Sequence, residues 1–451
     1  MAKSGRRFLS GFLAAAFLTA TTPAAFAQTV QQPQAPQVNV QQQPSTGSKK
    51  SVDVPAMTEW RQDFHKHPET AFTEVRTAEK IDSLLRSWGL ETHTNVGKTG
   101  VVGILKGPNA GPNSPSICLR ADIDALPITE DASTLPYKSE NPGKMHACGH
   151  DGHTAMLLGA AKYLAETKNF TGTVYFIFQP AEEAGNGAQA MIDDGLFKWV
   201  HCDGIYGMHA WPSLPAGTIA VAEGNITSNT DGFKITITGK GGHAAYPADN
   251  IDVIQLAADI VTELHKYKDK EIPADEGAVL AVTTMHGGEA FNAMPEKVSL
   301  AGTVRTFSAT SQDKLEKAVK EISAKLSTAY GAKVEVQYDR LAASVYNSHD
   351  QTVNARAAAA EVVGDINVVV FPRTMAGEDF SAFTKFAPGA FIALGQNAGG
   401  PKTQLHNPNF NFNDATLETG ASYWVGLVER QLPLVKPVVE MPKTTPPGNK
   451  P

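Results

Sequence analysis

Residues 145–183 read MHACGHDGHTAMLLGAAKYLAETKNFTGTVYFIFQPAEE, and the elements inside this stretch decide the fold. From His153 to Thr167 the small and apolar residues suit a well-buried helix, and TVYFIFQP is a short apolar run of the kind found in strands covered on both faces. Polar residues flank the pair. Cys148 and His150 precede the helix, and Glu182 and Glu183 follow the strand.

The same alternation continues outward. Upstream, Met57, Trp60 and Phe64, then Ile81, Leu84, Leu85 and Trp88, keep helical spacing, with Gly89 as a stop. VVGILKG and SICLRADIDALP read as strands, AQAMIDDG as a helix and GIYGMHA as a strand. Strands alternating with helices predict an α/β fold with a mainly parallel sheet covered on both faces. From Asp231 the pattern changes to strand, helix, two strands, helix and strand, the βαββαβ order of a ferredoxin-like unit. It begins and ends in mid-chain, so it is expected as an insertion over 229–342 into a larger domain formed by 51–228 and 343–432.

The ends differ from this body. Lys3, Arg6 and Arg7, an apolar run from Phe8 to Ala20 and the small-residue site Ala25-Phe26-Ala27 have the layout of a secretory signal peptide, 1–27, cleaved after Ala27. The run is shorter than the roughly 20 residues a spanning helix needs. Residues 28–50 are rich in Gln and Pro and read as a disordered tether, and 433–451 as a disordered tail. Cleavage would remove three positive charges, leaving 36 Lys+Arg against 46 Asp+Glu. That acidic balance argues against nucleic acid or an anionic membrane as main partner. Three cysteines allow at most one disulfide, so at least one thiol is free or bound. Cys118, in an apolar strand, and Cys202 are expected as small buried residues.

Asp122, Asp124, Cys148, His150, Glu182, Glu183, His209 and His406 cluster at strand ends or in the loops that follow, where open α/β sheets place their sites. Thiolate, imidazole and carboxylate together suit a borderline-soft divalent ion. Neighbouring side chains in an extended segment point different ways. One of the Glu182-Glu183 pair can therefore bind a metal while the other faces water as a general base. An isolated pair of this kind is more often a charged loop, and the other segments reverse that reading.

RADIDALPI, MHACGHDGHTAMLLGAA, FQPAEEAGNGA, GMHAWP, GKGGHAAYP, TMAGEDFSAF and LHNPNF, in this order, resemble the M20 metallopeptidase family. The likeness is greatest to its amidohydrolase branch of hippurate hydrolases, N-acyl-amino-acid amidohydrolases and auxin-conjugate hydrolases. It runs from about Trp60 to Leu432. The resemblance implies a catalytic domain of the zinc-peptidase type with an inserted lid and dimerisation domain. It further implies two divalent metals (manganese, zinc or cobalt) on Cys148, His150, Glu183, His209 and His406, with Cys148 bridging, and Glu182 as the base. Peptidase branches of the family carry His-x-Asp where this chain has Asp122-Ile123-Asp124, which puts Asp122 in doubt as a ligand and leaves Asp124 to orient a ligand histidine.

By the same resemblance, His243 stabilises the oxyanion in the active site of a partner subunit, so a homodimer is expected. Asn292 and Arg305 would grip the substrate carboxylate, and Gly377 would line the cleft. A salt-bridged strand residue is an equal reading of Arg305. His153 is expected to pack beside the site, and neither His65 nor His67 is expected to bind metal. The function implied is an exported, periplasmic hydrolase of N-acyl amino acids. A metallo-carboxypeptidase or dipeptidase and a non-catalytic periplasmic binding protein stand as alternatives.

Overall fold

The structure is a computed structural model, and it describes residues 47–131, 134–184, 186–399 and 403–434. The expected signal peptide, most of the tether and the tail beyond Leu434 lie outside the described residues. No described helix is long and apolar enough to cross a membrane.

The chain opens with α1 (Val54–Lys66), capped by the Asp53 carboxylate, which accepts the Ala56 N–H. It buries Met57, Trp60, Arg61, Phe64 and His65, one stripe of its surface. Next come α2 (Val75–Ser87), β1 (Glu91–Val96), β2 (Gly100–Lys106), β3 (Ser116–Asp122), α3 (His150–Thr167), β4 (Thr173–Gln179), α4 (Gly187–Asp193), β5 (Gly204–Pro215) and β6 (Ile219–Val221). A second set follows, consisting of β7 (Asn229–Thr238), α5 (Val253–Glu271), β8 (Ala278–His286), β9 (Lys297–Thr306), α6 (Ala309–Tyr330) and β10 (Lys333–Ala342). The chain then returns through α7 (His349–Val363), β11 (Val368–Val370), β12 (Gly389–Asn397) and α8 (Leu417–Gln431).

The main sheet has the order β1-β2-β4-β3-β5-β12-β6-β11. β4 and β5 flank β3 and run parallel to it, as β12 does to β5 and β11 to β6; the β1–β2, β2–β4 and β12–β6 pairs are antiparallel. Because β4, β3 and β5 are parallel neighbours, their carboxyl ends lie together. Asp122 at the end of β3 is the register partner of Gln179 at the end of β4. Helix α3 is buried on nearly every side, and its glycines permit this. A Cβ at Gly159 would lie 2.1 Å from the Met57 sulfur of α1, and one at Gly152 would lie 2.3 Å from the Phe412 ring. The second set forms its own antiparallel sheet, β8-β9-β7-β10. Ile235 and Ile237 of β7 pack there with Leu256 and Ile260 of α5 and with Leu315 and Val319 of α6.

Two expectations need correction. Gly47 to Lys50, read as tether, is tied to the body: the Ser48 N–H donates to the Glu361 carbonyl, Lys49 pairs with Glu418 and Lys50 with Glu429. Cys118 and Cys202, read as separate small residues, form a disulfide with Cα atoms 5.6 Å apart. They are 84 residues apart in sequence, and only the pairing of β3 with β5, which places Cys118 opposite Ile205, brings them together.

A cross-link closing so long a loop stabilises a fold by about 2–4 kcal/mol, so Cys202→Ser should lower the unfolding midpoint by that equivalent. Thiol titration in denaturant should find one reactive thiol before reduction and three after. Three thiols before reduction would show that the bridge is absent.

Candidate metal and catalytic site

Cys148 lies in the loop before α3, buried, with its sulfur 3.4 Å from His209 Nε2. Two triplets of ligand-type atoms share this thiol, Cys148–His150–His209 and Cys148–Glu183–His406, each within 4.8 Å. His150, Glu182 and Glu183 form a third such group. The five expected ligands and the expected base thus converge from α3, the loop after β4, the middle of β5 and the segment before α8.

Hydrogen bonds fix which imidazole nitrogens face the thiol. A carbonyl can only accept, so His150 Nδ1 donates to the Asp124 carbonyl (2.8 Å) and to its carboxylate (3.2 Å), which directs Nε2 inward. His209 Nδ1 donates in the same way to the Ala210 carbonyl at 2.7 Å, turning Nε2 to Cys148. Asp124 also accepts the Glu183 N–H at 3.1 Å, tying the acid pair to His150. His406, half-exposed, places Nε2 3.1 Å from Glu183 Oε1. His153 is arranged differently: Nδ1 donates to Asp122 at 2.6 Å and Nε2 accepts the Ala210 N–H at 2.8 Å, so no lone pair is left for an ion. Asp122 has its other oxygen on Arg120, 2.6 Å away.

Burial and neighbouring carboxylates set the charges. Burial, Glu378, Asp379 and Glu183 hold Glu182 well above the ordinary carboxylate range. Burial pushes Glu378 up to about 7 and Asp379 up to about 6, against the pull of Arg120. Burial and Glu183 raise the Cys148 thiol, and burial lowers His209 to about 3, keeping it neutral. His150 goes the other way. Burial opposes its charge, but Asp122, Cys148 and Asp124 together outweigh burial and hold the His150 imidazole well above its ordinary value.

The sequence reading gave no individual roles to Arg120, Glu378 or Asp379. Arg120 is fully buried and spans Gln179, Asp122, Glu378 and Asp379. Nor did it see the ion-pair group beneath α3. His65 lies 2.8 Å from Asp151 and 3.3 Å from Glu130, and Arg61 pairs with Asp414. His67 donates to the Asp63 carbonyl.

The remaining expected residues lie apart from the cluster. His243 and Asn292 are exposed neighbours on a short ribbon, where His243 pairs with Ala293 and the Asn292 carbonyl accepts the Ala244 N–H. Arg305, on β9, donates to the Thr303 hydroxyl and the Val304 carbonyl, and among the described residues no carboxylate pairs with it. Gly377 is exposed beside Thr230 and precedes the buried Glu378.

Residues 118–430 match the family described as peptidase family M20/M25/M40. The chain is 37% identical to the N-acetylcysteine deacetylase of Bacillus subtilis over 383 residues, covering 83% of this chain and 97% of that protein. It is 35% identical to the hippurate hydrolase of Campylobacter jejuni over 373 residues, covering 82% and 95%. Against an IAA-amino acid hydrolase of Arabidopsis thaliana it is 34% identical over 382 residues, covering 82% and 84%. Among solved structures, it resembles a Bacillus subtilis dinuclear metal binding peptidase of the M20 family, with TM-score 0.73 and 34% identity over 83% of this chain and 97% of that one.

The His65 group predicts a pH dependence. Burial disfavours its charge, yet Asp151 and Glu130 outweigh burial and raise it to about 9. A raised histidine contributes stability fully below its unfolded value, about 6.5, and loses it as pH rises through 9. Wild type should therefore lose about 3 kcal/mol relative to His65→Gln across that window in urea unfolding. Parallel stability curves for the two proteins would reject the ion pair.

Proposed function

The chain belongs to peptidase family M20/M25/M40, and we propose that, as an exported metal-dependent amidohydrolase, it cleaves the amide that joins an acyl group to an amino acid. One observation carries this most directly: four ligand-type side chains, His150, Glu183, His209 and His406, surround the single buried Cys148 thiol, with Glu182 beside them. The relatives' names point to the substrate class, since N-acetylcysteine, hippurate and an indole-acetyl amino acid all contain that linkage.

The donor set fits two divalent ions. His150 Nε2 is buried without a hydrogen-bond partner, and such an atom is expensive to leave unmatched. Cys148, His150, Glu183, His209 and His406 would hold manganese, zinc or cobalt, which when bound polarise the scissile carbonyl and acidify water. Asp124 fixes the His150 ring. Glu182 takes the proton of the attacking water and delivers it to the leaving nitrogen. Its buried carboxylate neighbours favour the proton-holding form between the two transfers.

The β7–β10 sheet with α5 and α6 acts as lid and dimerisation domain, corresponding to residues 229–342. His243 reaches the partner subunit's site and stabilises the oxyanion. Arg305, which pairs with no carboxylate among the described residues, and Asn292 grip the substrate's carboxylate at the lid, and Gly377 lines the cleft. The arginine-like fork suits a bidentate carboxylate. The signal-peptide layout and the Cys118–Cys202 bridge support a periplasmic location. An intact Glu182 weighs against a pure binding protein, which has no use for a positioned base.

Amine release from a panel of N-acyl amino acids and dipeptides is the test. Turnover of the acyl amino acids should stop with chelator and return with manganese or zinc, and Glu182→Gln should lower kcat by about 10²–10⁴-fold. Faster cleavage of dipeptides would favour the peptidase reading, and turnover untouched by chelator would reject both. Mixing inactive His243→Ala with inactive Glu182→Gln should restore activity as mixed dimers form. A fully active monomer in sedimentation would exclude the shared site.

A further inference from the structure

Glu74 has no part in the chemistry proposed above, yet its buried carboxylate lies directly against the turn that carries the acid pair. It is fully buried at the start of α2. One oxygen accepts the Ala181 N–H at 2.9 Å, and the other accepts the Thr99 hydroxyl at 2.6 Å. Ala181 has φ 53°, in the left-handed region that a residue with a Cβ occupies only when its surroundings hold it there. Glu182 and Glu183 follow at once, so the backbone of Ala181 sets the direction in which both side chains leave the chain.

The helix start that carries Glu74 and the turn that carries Thr99 are held in turn. Glu69 accepts the Arg76 and Thr77 N–H groups of the first turn of α2. Thr99 stands in the β1–β2 turn, where the Lys98 ammonium lies 3.9 Å from the centre of the Phe72 ring. The same 69–74 segment also backs the other loop of the site, because the Ala125 N–H donates to the Glu69 carbonyl at 2.8 Å. Residues 69–74 therefore support the loop carrying Asp124 and the loop carrying Glu182. A buried carboxylate is a costly way to satisfy one backbone N–H unless the position of that N–H matters.

We infer that Glu74 is a positioning residue for the general base: through the Ala181 N–H it locks the left-handed turn that aims Glu182 at the reacting centre and Glu183 at Cys148 and His406. The inference rests on the reading of Glu182 as base. It joins the α1–α2 loop, the β1–β2 turn and the acid pair into one support.

The experiment compares wild type with four variants, each assayed at saturating manganese or zinc on an acyl amino acid that wild type hydrolyses. Metal affinity is read in parallel by competition with a chromogenic chelator. Glu74→Ala should lower kcat and weaken metal affinity by about 10–100-fold, with KM changed by less than about threefold. Glu74→Gln should retain most of the activity, since its amide oxygen still accepts the Ala181 N–H and its amide N–H can turn to Thr99. Glycine takes a positive φ without support, so Glu74→Ala combined with Ala181→Gly should recover kcat several-fold over Glu74→Ala alone.

Wild-type kcat and metal affinity in Glu74→Ala would overturn the inference, as would a loss matching only the unfolded fraction that neither Gln at 74 nor Gly at 181 repairs. If Glu74→Ala does not fold, Thr99→Val carries the test: a several-fold fall in kcat at unchanged KM supports the inference, and wild-type kcat rejects it. A wild type inactive under every metal would reject the reading of Glu182 itself. An active wild type beside an unaffected Glu74→Ala rejects the positioning role alone.

Discussion

One buried guanidinium holds the site and the fold to each other. Arg120 leaves β3 with no solvent exposure and meets Asp122 two residues on, Gln179 at the end of β4, and Glu378 and Asp379 more than 250 residues further along the chain. Three carboxylates in so small a volume repel one another, and only a permanent cation lets them stay. Since Glu182 sits within reach of Glu378 and Asp379, the same cation limits how far these acids drift together toward the neutral form. Removing a partner from such a buried group costs about 3–5 kcal/mol. The segment that follows the inserted sheet is thereby fastened to the central strand of the main sheet.

The parts legible in the sequence were those whose signal is local. Helix α3 and strand β4 declared themselves by apolar runs, the βαββαβ order by its change of period, and most of the ligand-type residues by their place at strand ends or in the loops that follow, whereas His209, read as lying at a strand end, sits in the middle of β5. What escaped depended on pairs distant in sequence. The Cys118–Cys202 bridge needs β3 beside β5, and Arg120 reads as an ordinary strand residue until Glu378 and Asp379 are brought over it. Strand β1, with four of its six residues exposed, and the three-residue strands β6 and β11 carry too few apolar positions to show a period. The antiparallel pairings of β1 with β2, β2 with β4 and β6 with β12 are why the central sheet is mixed toward its flanks and parallel at its middle. The two carboxylates that hold both nitrogens of His65 are likewise visible only in the folded chain.

Two of the eight left-handed non-glycine residues among the described residues lie at the candidate site. Ala181 and His406, at φ 53° and 60°, adopt left-handed conformations although neither is glycine. One precedes the acid pair, and the other is itself of ligand type. Each is held from outside: Ala181 through Glu74, and His406 through its N–H on the Ala147 carbonyl at 2.8 Å. Ala147 adjoins Cys148, so that single hydrogen bond couples the placement of His406 to the placement of the thiol. A site drawn from four separate segments keeps its geometry through such cross-ties more than through the stiffness of any one element.

The fates of the three cysteines follow from where β3 and β5 place them. Cys118 and Cys202 sit toward the beginning of these strands and are paired, whereas Cys148 lies near their carboxyl ends, with the length of the strands in between. A thiol reacts as thiolate, and burial together with Glu183 keeps Cys148 in the protonated form in the metal-free protein. Exchange with the existing bridge and oxidation by small oxidants are both slowed by that protonation and by burial. The Cys118–Cys202 disulfide can then close while the third thiol stays free. The Glu183 carboxylate that raises the thiol in the metal-free protein belongs to the same donor set, so one arrangement of charge protects the empty site and favours a divalent cation there.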